Sequence, residues 1–279
     1  MGATFIIGLR EGIEAALIVS ILLAYLRKLE RPEGSRLVWA GAGGALALST
    51  LVGTGIFVAG ASFEGRAEQL FEGAATLAAV SVLTWMIFWM RRQSASIRAE
   101  LHEKVDVALR TGGFALAAIA FFAVLREGIE TALFLYAAAS GTAASQGAVG
   151  AQLVGALLGI LAAVVLGILL YRGGIRLDLR RFFRVTGLAL VVIAAGLLAY
   201  SLHEFQEAGL IPMLEGLAFD LSATLPDDTG AGAVLRGLVG YHATPSMLEI
   251  VGWIAYLIVV GGSFLRPARV ASAAAARTA

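Results

Sequence analysis

Residues 3–26, ATFIIGLREGIEAALIVSILLAYL, and residues 114–139, FALAAIAFFAVLREGIETALFLYAAA, are each long and apolar enough to cross a bilayer, yet both carry the charged hexapeptide LREGIE. The hydrocarbon core of a membrane is about 30 Å thick, the length of roughly 20 helical residues. The two copies run from Leu9 to Glu14 and from Leu125 to Glu130. A charged side chain at mid-membrane costs about 2.5 to 3.5 kcal/mol on insertion scales, so six of them cost on the order of 15 to 20 kcal/mol unless something compensates. Charges kept at that cost mark an ion or ligand path, or a buried ion pair.

Working outward, 59% of the 279 residues are apolar, 15% are charged and 34 are glycine, outside the range of ordinary soluble domains. The fold class expected is an all-α integral membrane protein. With no cysteine, disulfide frameworks and thiolate metal sites are excluded. A net charge of +1 identifies no partner. Seven apolar runs are predicted as spans, near 3–26, 37–60, 69–90, 114–139, 148–171, 185–207 and 247–265. Ser140, Gly141, Ser145, Gln146 and Gly147 supply the polar break between the fourth and the fifth. No GxxxxGK[ST] run is present, so no nucleotide-driven pump is indicated.

Orientation follows from Lys and Arg, which are enriched in cytoplasmic loops. Loop one holds Arg27, Lys28, Arg31 and Arg36, and loop three holds Arg91, Arg92, Arg98, Lys104 and Arg110. Loop five holds Arg172, Arg176, Arg180, Arg181 and Arg184, and the tail holds Arg266, Arg269 and Arg277. The opposite loops hold only Arg66 and Arg236, so the N-terminus is predicted outside and the C-terminus inside. A signal peptide is a poor reading of the first 26 residues, which lack a basic start and are interrupted by charge. In loop three, Ile97, Leu101, Val105 and Leu109 recur every fourth residue, predicting a short amphipathic helix on the inner surface or its equivalent, a solvated helical face. Residues 266–279, rich in Ala and Arg, read as a disordered cytoplasmic tail.

With alternating spans, the two LREGIE copies enter the membrane in opposite directions. The parse is a single membrane domain over 1–265: repeat one over about 1–92, repeat two over about 113–208 and a seventh helix over about 247–265. This is a 3+3 inverted repeat plus one, an architecture in which substrate sites lie near the midplane where the halves meet.

On a helix of 3.6 residues per turn, Glu11 lies about 60° from Glu14, and Arg10 about 40° from it, so the three charges share one face. The same holds for Arg126, Glu127 and Glu130, while Gly12 and Gly128 point away and admit a neighbouring backbone. Each motif has one guanidinium and two carboxylates, so the pair leaves a surplus of two negative charges, suited to a multivalent cation. Buried ion pairs that merely join two spans are the alternative, but they would not need the extra anions. Carboxylates are hard ligands that suit Mg²⁺, Ca²⁺, Mn²⁺ and iron, and charge alone does not choose among them.

The chain resembles the iron permeases related to the yeast high-affinity permease, in their bacterial EfeU-type branch. The resemblance rests on the REGIE motifs Arg10–Glu14 and Arg126–Glu130, on FEG at Phe71–Gly73 and on LTWMIFWM at Leu83–Met90. It extends to LHEFQEAG at Leu202–Gly209 and to Gly240, Tyr241, Thr244 to Ser246 and Glu249, so it covers the whole membrane portion in order. That family more often has Leu where Ile13 and Ile129 stand, a volume-conserving change. The resemblance implies a multi-pass protein of the cytoplasmic membrane that takes up ferrous or ferric iron. It implies Glu11, Glu14, Glu127 and Glu130 as iron ligands, with Arg10 and Arg126 as balancing charges. It also implies a partner outside the cell that oxidises or delivers iron. No resident cofactor, enzymatic activity or nucleic-acid partner is expected.

Glu72, His203, Glu204, Glu207 and Glu249 fall at the outer ends of their spans and form a possible outer mouth that concentrates cations. His203 and Glu207 are one helical turn apart, a workable spacing for joint coordination. Glu64, Glu68, Glu215, Asp220, Asp227 and Asp228 add to the acidity of that entrance, and the loop aspartates among them read as ordinary exposed acids. HEFQE lacks the second histidine of the HExxH protease helix, so proteolysis is not indicated. The segment from Gly209 to Ser246 is long for a plain loop, and its prolines and the apolar stretch Ala231 to Val239 predict short helices at the membrane surface. Two rivals remain: transport of another divalent metal such as lead or manganese, and a non-transporting membrane subunit that docks a partner.

Overall fold

The computed structural model describes residues 1–93, 101, 103–108, 113–141, 148–172 and 178–266. Among them the regular secondary structure is all helical, apart from one isolated antiparallel bridge between Leu217 and Ser246. The long helices are α1 (Gly2–Lys28), α2 (Gly34–Ala61), α3 (Arg66–Gln93), α4 (Gly113–Ser140), α5 (Ala148–Tyr171) and α6 (Leu179–Glu207). A ten-residue helix α7 (Gly230–Val239) precedes α8 (Met247–Tyr256), which continues through a π-helical turn at Leu257–Gly261 into Gly262–Leu265.

Among the described residues, five stretches are long and apolar enough to cross a membrane: Gly34–Ala61, Arg66–Met90, Gly150–Tyr171, Arg181–Glu207 and Met247–Leu265. The protein is therefore a multi-pass membrane protein. Helices α1 and α4 have the length but carry the LREGIE charges. Each predicted apolar run lies within a helix, and several helices extend a turn beyond it because the chain stays helical into its polar ends. On α2 and α5, Trp39, Leu51, Leu157 and Leu161 are exposed, an apolar surface that suits lipid rather than water.

The ends follow local chemistry. Asp178 caps α6 by accepting from the Arg181 N–H at 3.1 Å. Ser246 and Glu249 form a reciprocal capping box at the start of α8. Gly240 ends α7 in the left-handed region, at φ 71°.

Two pairs of long helices run parallel with backbones nearly touching. A Cβ on Gly41 of α2 would lie 2.1 Å from the Ala117 carbonyl oxygen of α4, and one on Gly155 of α5 would lie 2.4 Å from the Met1 carbonyl oxygen beside α1. Farther along, Gly53 meets Ala132 and Gly167 meets Ala16, at 3.1 and 2.7 Å by the same measure. Between these levels Gly128 faces Ser49 and Gly12 faces Ala163. The positional offset that takes Gly12 to Gly128 also takes Met1 to Ala117 and Ala16 to Ala132. A second constant offset takes Gly41, Ser49 and Gly53 to Gly155, Ala163 and Gly167. The α1·α5 and α2·α4 contacts are thus the same contact made twice. Helices α3 and α6 meet antiparallel, with Gln69 near Glu207 and the Gly73 carbonyl accepting from Ser201 at 2.8 Å.

A large apolar cluster joins α1, α3, α4, α5, α6 and α8 through Ile7, Leu83, Phe134, Ala163, Leu190 and Phe264. A second joins Leu22, Leu26, Val38, Leu116 and Ala120 to Leu101, Val105 and Ala108. The loop-three expectation is corrected by that cluster. Residues 103–108 are helical, but Leu101 and Val105 are buried against α1, α2 and α4, so their apolar face is neither solvated nor free to lie on lipid. Ile97 and Leu109 lie outside the described residues, as do 267–279 of the tail. Of the expected short helices between Gly209 and Ser246, α7 is present. It packs against α1 and α6, with Leu238 over Gly2 and Gly240 in backbone contact with Gly196.

Candidate metal centre

The first motif lies within α1, away from either end, with Arg10 1% exposed, Glu11 1% and Glu14 5%. Arg10 reaches Glu11 Oε1 at 2.8 Å and Glu14 Oε1 at 3.1 Å, and donates to Met86 Sδ of α3 at 3.2 Å. The second motif lies in α4. Arg126 reaches Glu130 Oε1 at 2.8 Å and Glu127 Oε1 at 3.9 Å. Its guanidinium stacks over Trp89 at 4.4 Å and Trp85 at 5.5 Å from the ring centres, and this side chain is about a third exposed.

Glu11, Glu14 and Glu127 each contribute an oxygen to a group whose members all lie within 4.8 Å of one another, with all three residues buried. Glu130 is buried beside this group but is held by Arg126. The buried oxygens Glu11 Oε2, Glu127 Oε2 and Glu130 Oε2 have no hydrogen-bond donor. Anionic oxygens left without donors in a dry interior are costly, and a cation would satisfy them. Counting charge, three carboxylates and Arg10 leave two negative charges on the cage, while Glu130 and Arg126 form a neutral pair at its side.

The five residues predicted for the outer mouth gather at one end of the bundle. Glu72, His203, Glu204 and Glu249 line one cavity of about 250 Å³, together with Tyr200 and His242. Tyr200 of α6 donates to Glu72 of α3. Glu249, only 4% exposed, meets Nδ1 of His203 at 3.1 Å on one oxygen and Nδ1 of His242 at 3.0 Å on the other. Glu207 lies 3.3 Å from His203 Nε2 and accepts from Gln69 at 3.0 Å. Asp227, expected to be an ordinary loop acid, is half-buried, 3.4 Å from Arg236 and 3.9 Å from His242 Nε2.

Mostly apolar side chains lie between the two polar centres along α1, α3 and α4. Along α1, Ala3 lines the cavity, Ile7 is fully buried and Glu11 follows. Along α4 the order is Ala138, Phe134 and Glu130, and along α3 it is Glu72, then Ala79, Val80 and Leu83, then Met86. Thr76 is the polar interruption, with a buried hydroxyl that has no partner. None of Glu11, Glu14, Glu127 and Glu130 lines the cavity.

Sequence reasoning did not single out Met86, Trp85, Trp89, Tyr200 or His242. The first three sit in LTWMIFWM, where only the i, i+1 and i+4 spacing toward α1 and α4 distinguishes them from lipid-facing residues. His242 lies in a loop, and nothing near it in sequence announces Glu249 and His203 as neighbours.

No solved structure matches the chain. It is 43% identical over 285 residues to the ferrous iron permeases EfeU of Shigella sonnei (strain Ss046) and of Escherichia coli O157:H7, covering 100% of each chain. It is 39% identical over 272 residues to the ferrous iron permease EfeU of Yersinia pestis, covering 96% of this chain and 95% of the other. Residues 1–276 match the description of a single family, and the chain accordingly belongs to the Iron permease FTR1 family.

Proposed function

We propose that this protein is a ferrous-iron permease of the cytoplasmic membrane, and that Glu11, Glu14 and Glu127 hold the ion on its way through. The observation that carries this reading is the buried cage, whose unpaired oxygens and surplus of two negative charges match one divalent cation. The names of the relatives support iron as the cargo. Arg10 offsets part of the cage charge, so that Fe²⁺ is bound without being trapped. Arg126 holds Glu130 at the lip, and its partial exposure lets that pair swing as ions pass.

The doubled α1·α5 and α2·α4 contacts support two inverted halves, about 1–92 and 113–208, with the seventh span at 247–265. Parallel pairing of α1 with α5, and of α2 with α4, is what opposed threading of the halves requires. With the N-terminus outside, the His203 cavity faces the exterior and an inside-negative potential favours entry by about 2.3 kcal/mol per charge per 100 mV. The mostly apolar stretch between cavity and cage implies that one half must shift against the other for an ion to cross. An extracytoplasmic protein that oxidises or delivers iron would dock at that outer face.

Uptake of radioactive Fe²⁺ into proteoliposomes tests this. Glu14→Gln and Glu130→Gln are expected to abolish uptake almost completely while the protein still inserts and runs monodisperse. Undiminished uptake would favour the docking-subunit reading. Suppression of uptake by unlabelled Mn²⁺ or Pb²⁺ but not by unlabelled iron would assign the scaffold to another metal.

A further inference from the structure

A cage of carboxylates is poor at telling Fe²⁺ from Mg²⁺ or Ca²⁺, because all three accept hard oxygen ligands. The cavity above it offers different chemistry. His203 of α6, His242 of the loop after α7 and Glu249 of α8 each present one ligand atom within 4.8 Å of the others. Two imidazoles and one carboxylate is a donor set suited to ferrous iron, and histidine is not a ligand that Mg²⁺ or Ca²⁺ favours.

We infer that these three residues form a second ferrous-iron site at the mouth of the permease, which captures Fe²⁺ and rejects the abundant hard divalent ions before the cage is reached. Two independent features of the geometry support it. Each imidazole has its far nitrogen turned to another carboxylate: His203 Nε2 to Glu207 at 3.3 Å and His242 Nε2 to Asp227 at 3.9 Å. Both carboxylates stand at ion-pair distance, on the side of each ring where an outer-shell acceptor orients a metal-bound histidine and raises its basicity. Glu249 also lines three adjoining cavities. One reaches inward to Glu72 and Tyr200, a second is bounded by Phe219 and Trp253, and a third contains Glu207, Glu215 and Thr244. An ion moving between the Glu215 recess and the Glu72 cavity meets this triad at their junction. The capping box fixes Glu249, and the backbone contact of Gly196 with Gly240 holds the loop that carries His242. On iron binding, each Nδ1 would turn from Glu249 to the metal, with Glu249 completing the set.

The role in transport rests on the permease reading, but the site can be tested without it. The full-length protein is loaded with Fe²⁺ under anaerobic conditions, and X-ray absorption at the iron edge reads imidazole scattering. Wild type is expected to give an imidazole contribution, each of His203→Gln and His242→Gln to reduce it, and the double variant to lose it. Glutamine keeps an N–H donor toward Glu249, and an unchanged thermal midpoint verifies the fold. In proteoliposomes the double variant is expected to raise KM for Fe²⁺ by about tenfold or more at little cost in maximal rate. It is also expected to become sensitive to Mg²⁺ and Ca²⁺. A wild-type spectrum with oxygen ligands alone, or an imidazole signal unchanged in the double variant, overturns the proposal. Glu14→Gln separates the two readings: it should stop uptake yet keep the imidazole signal, whereas uptake that survives in it refutes the cage and leaves the histidine site to its own spectrum.

Discussion

Removing Arg10 would strand Glu11 and Glu14 without a counter-charge in a dry interior, because the Arg10 side chain touches both and is itself buried. Breaking a buried pair in this way costs about 3 to 5 kcal/mol. Arg10→Ala is therefore expected to lower the melting temperature in detergent sharply. Arg126→Ala should cost less, about 1 to 2 kcal/mol, because that guanidinium is a third exposed and what it loses is the close pair with Glu130, the longer contact with Glu127 and the faces of Trp89 and Trp85. Equal losses in the two variants would contradict the assigned environments. Met86→Leu conserves volume and is expected to cost under about 1.5 kcal/mol, leaving Arg10 on its two glutamates. At this scale the motif residues were legible because charge inside an apolar run has few innocent explanations. Met86, Trp85 and Trp89 were not, since an aromatic or thioether side chain in a span looks the same whether it faces lipid or a guanidinium. His242 was hidden for a different reason: its partners are His203, on another helix, and Glu249 across a turn, so only the folded chain brings them together.

The helix pairs owe their closeness to glycine, and α2 offers an internal control. Gly41 faces the Ala117 backbone of α4, whereas a Cβ on Gly43 would meet nothing within 4 Å. Gly43→Ala is expected to be neutral or to stabilise by up to about 1 kcal/mol through helix propensity. Gly41→Ala must push two backbones apart and is expected to destabilise by about 1 to 3 kcal/mol, read as a lower melting temperature in detergent. Gly155→Ala, at the equivalent contact with Met1, should behave like Gly41→Ala. The existence and order of these helices could be read from hydropathy alone, and their ends to within two turns, the largest miss being the start of α6 at Leu179 rather than 185. Which helix paired with which could not, because a stripe of small residues names a close contact without naming its partner. Helix α7 was legible in the apolar stretch Ala231 to Val239, but the burial of Leu101, Val105 and Ala108 depended on tertiary packing: Val105 has the same spacing whether it faces lipid, solvent or the cleft between α1 and α4.

Across the whole molecule, the topology proposed above rests on the basic loops and the paired contacts, and the absence of native cysteine makes it easy to test. Single cysteines introduced at the exposed positions Ser62 and Asp228 are expected to react with an impermeant thiol reagent from outside intact cells. Those at Glu33 and Arg172 should react only after permeabilisation. Labelling of Ser62→Cys and Glu33→Cys from the same side would break the alternation on which the inverted halves depend. The fold brings two short acidic motifs, far apart in the chain, to one point between α1 and α4, separate from the histidine-lined cavity. The most direct test of that convergence is anomalous diffraction at the iron edge from crystals of the uptake-competent protein loaded with Fe²⁺. The account predicts a peak between α1 and α4 in contact with the carboxylates of Glu11, Glu14 and Glu127. An iron-loaded, active protein with no peak there, and with those oxygens bound only to protein donors, would contradict it.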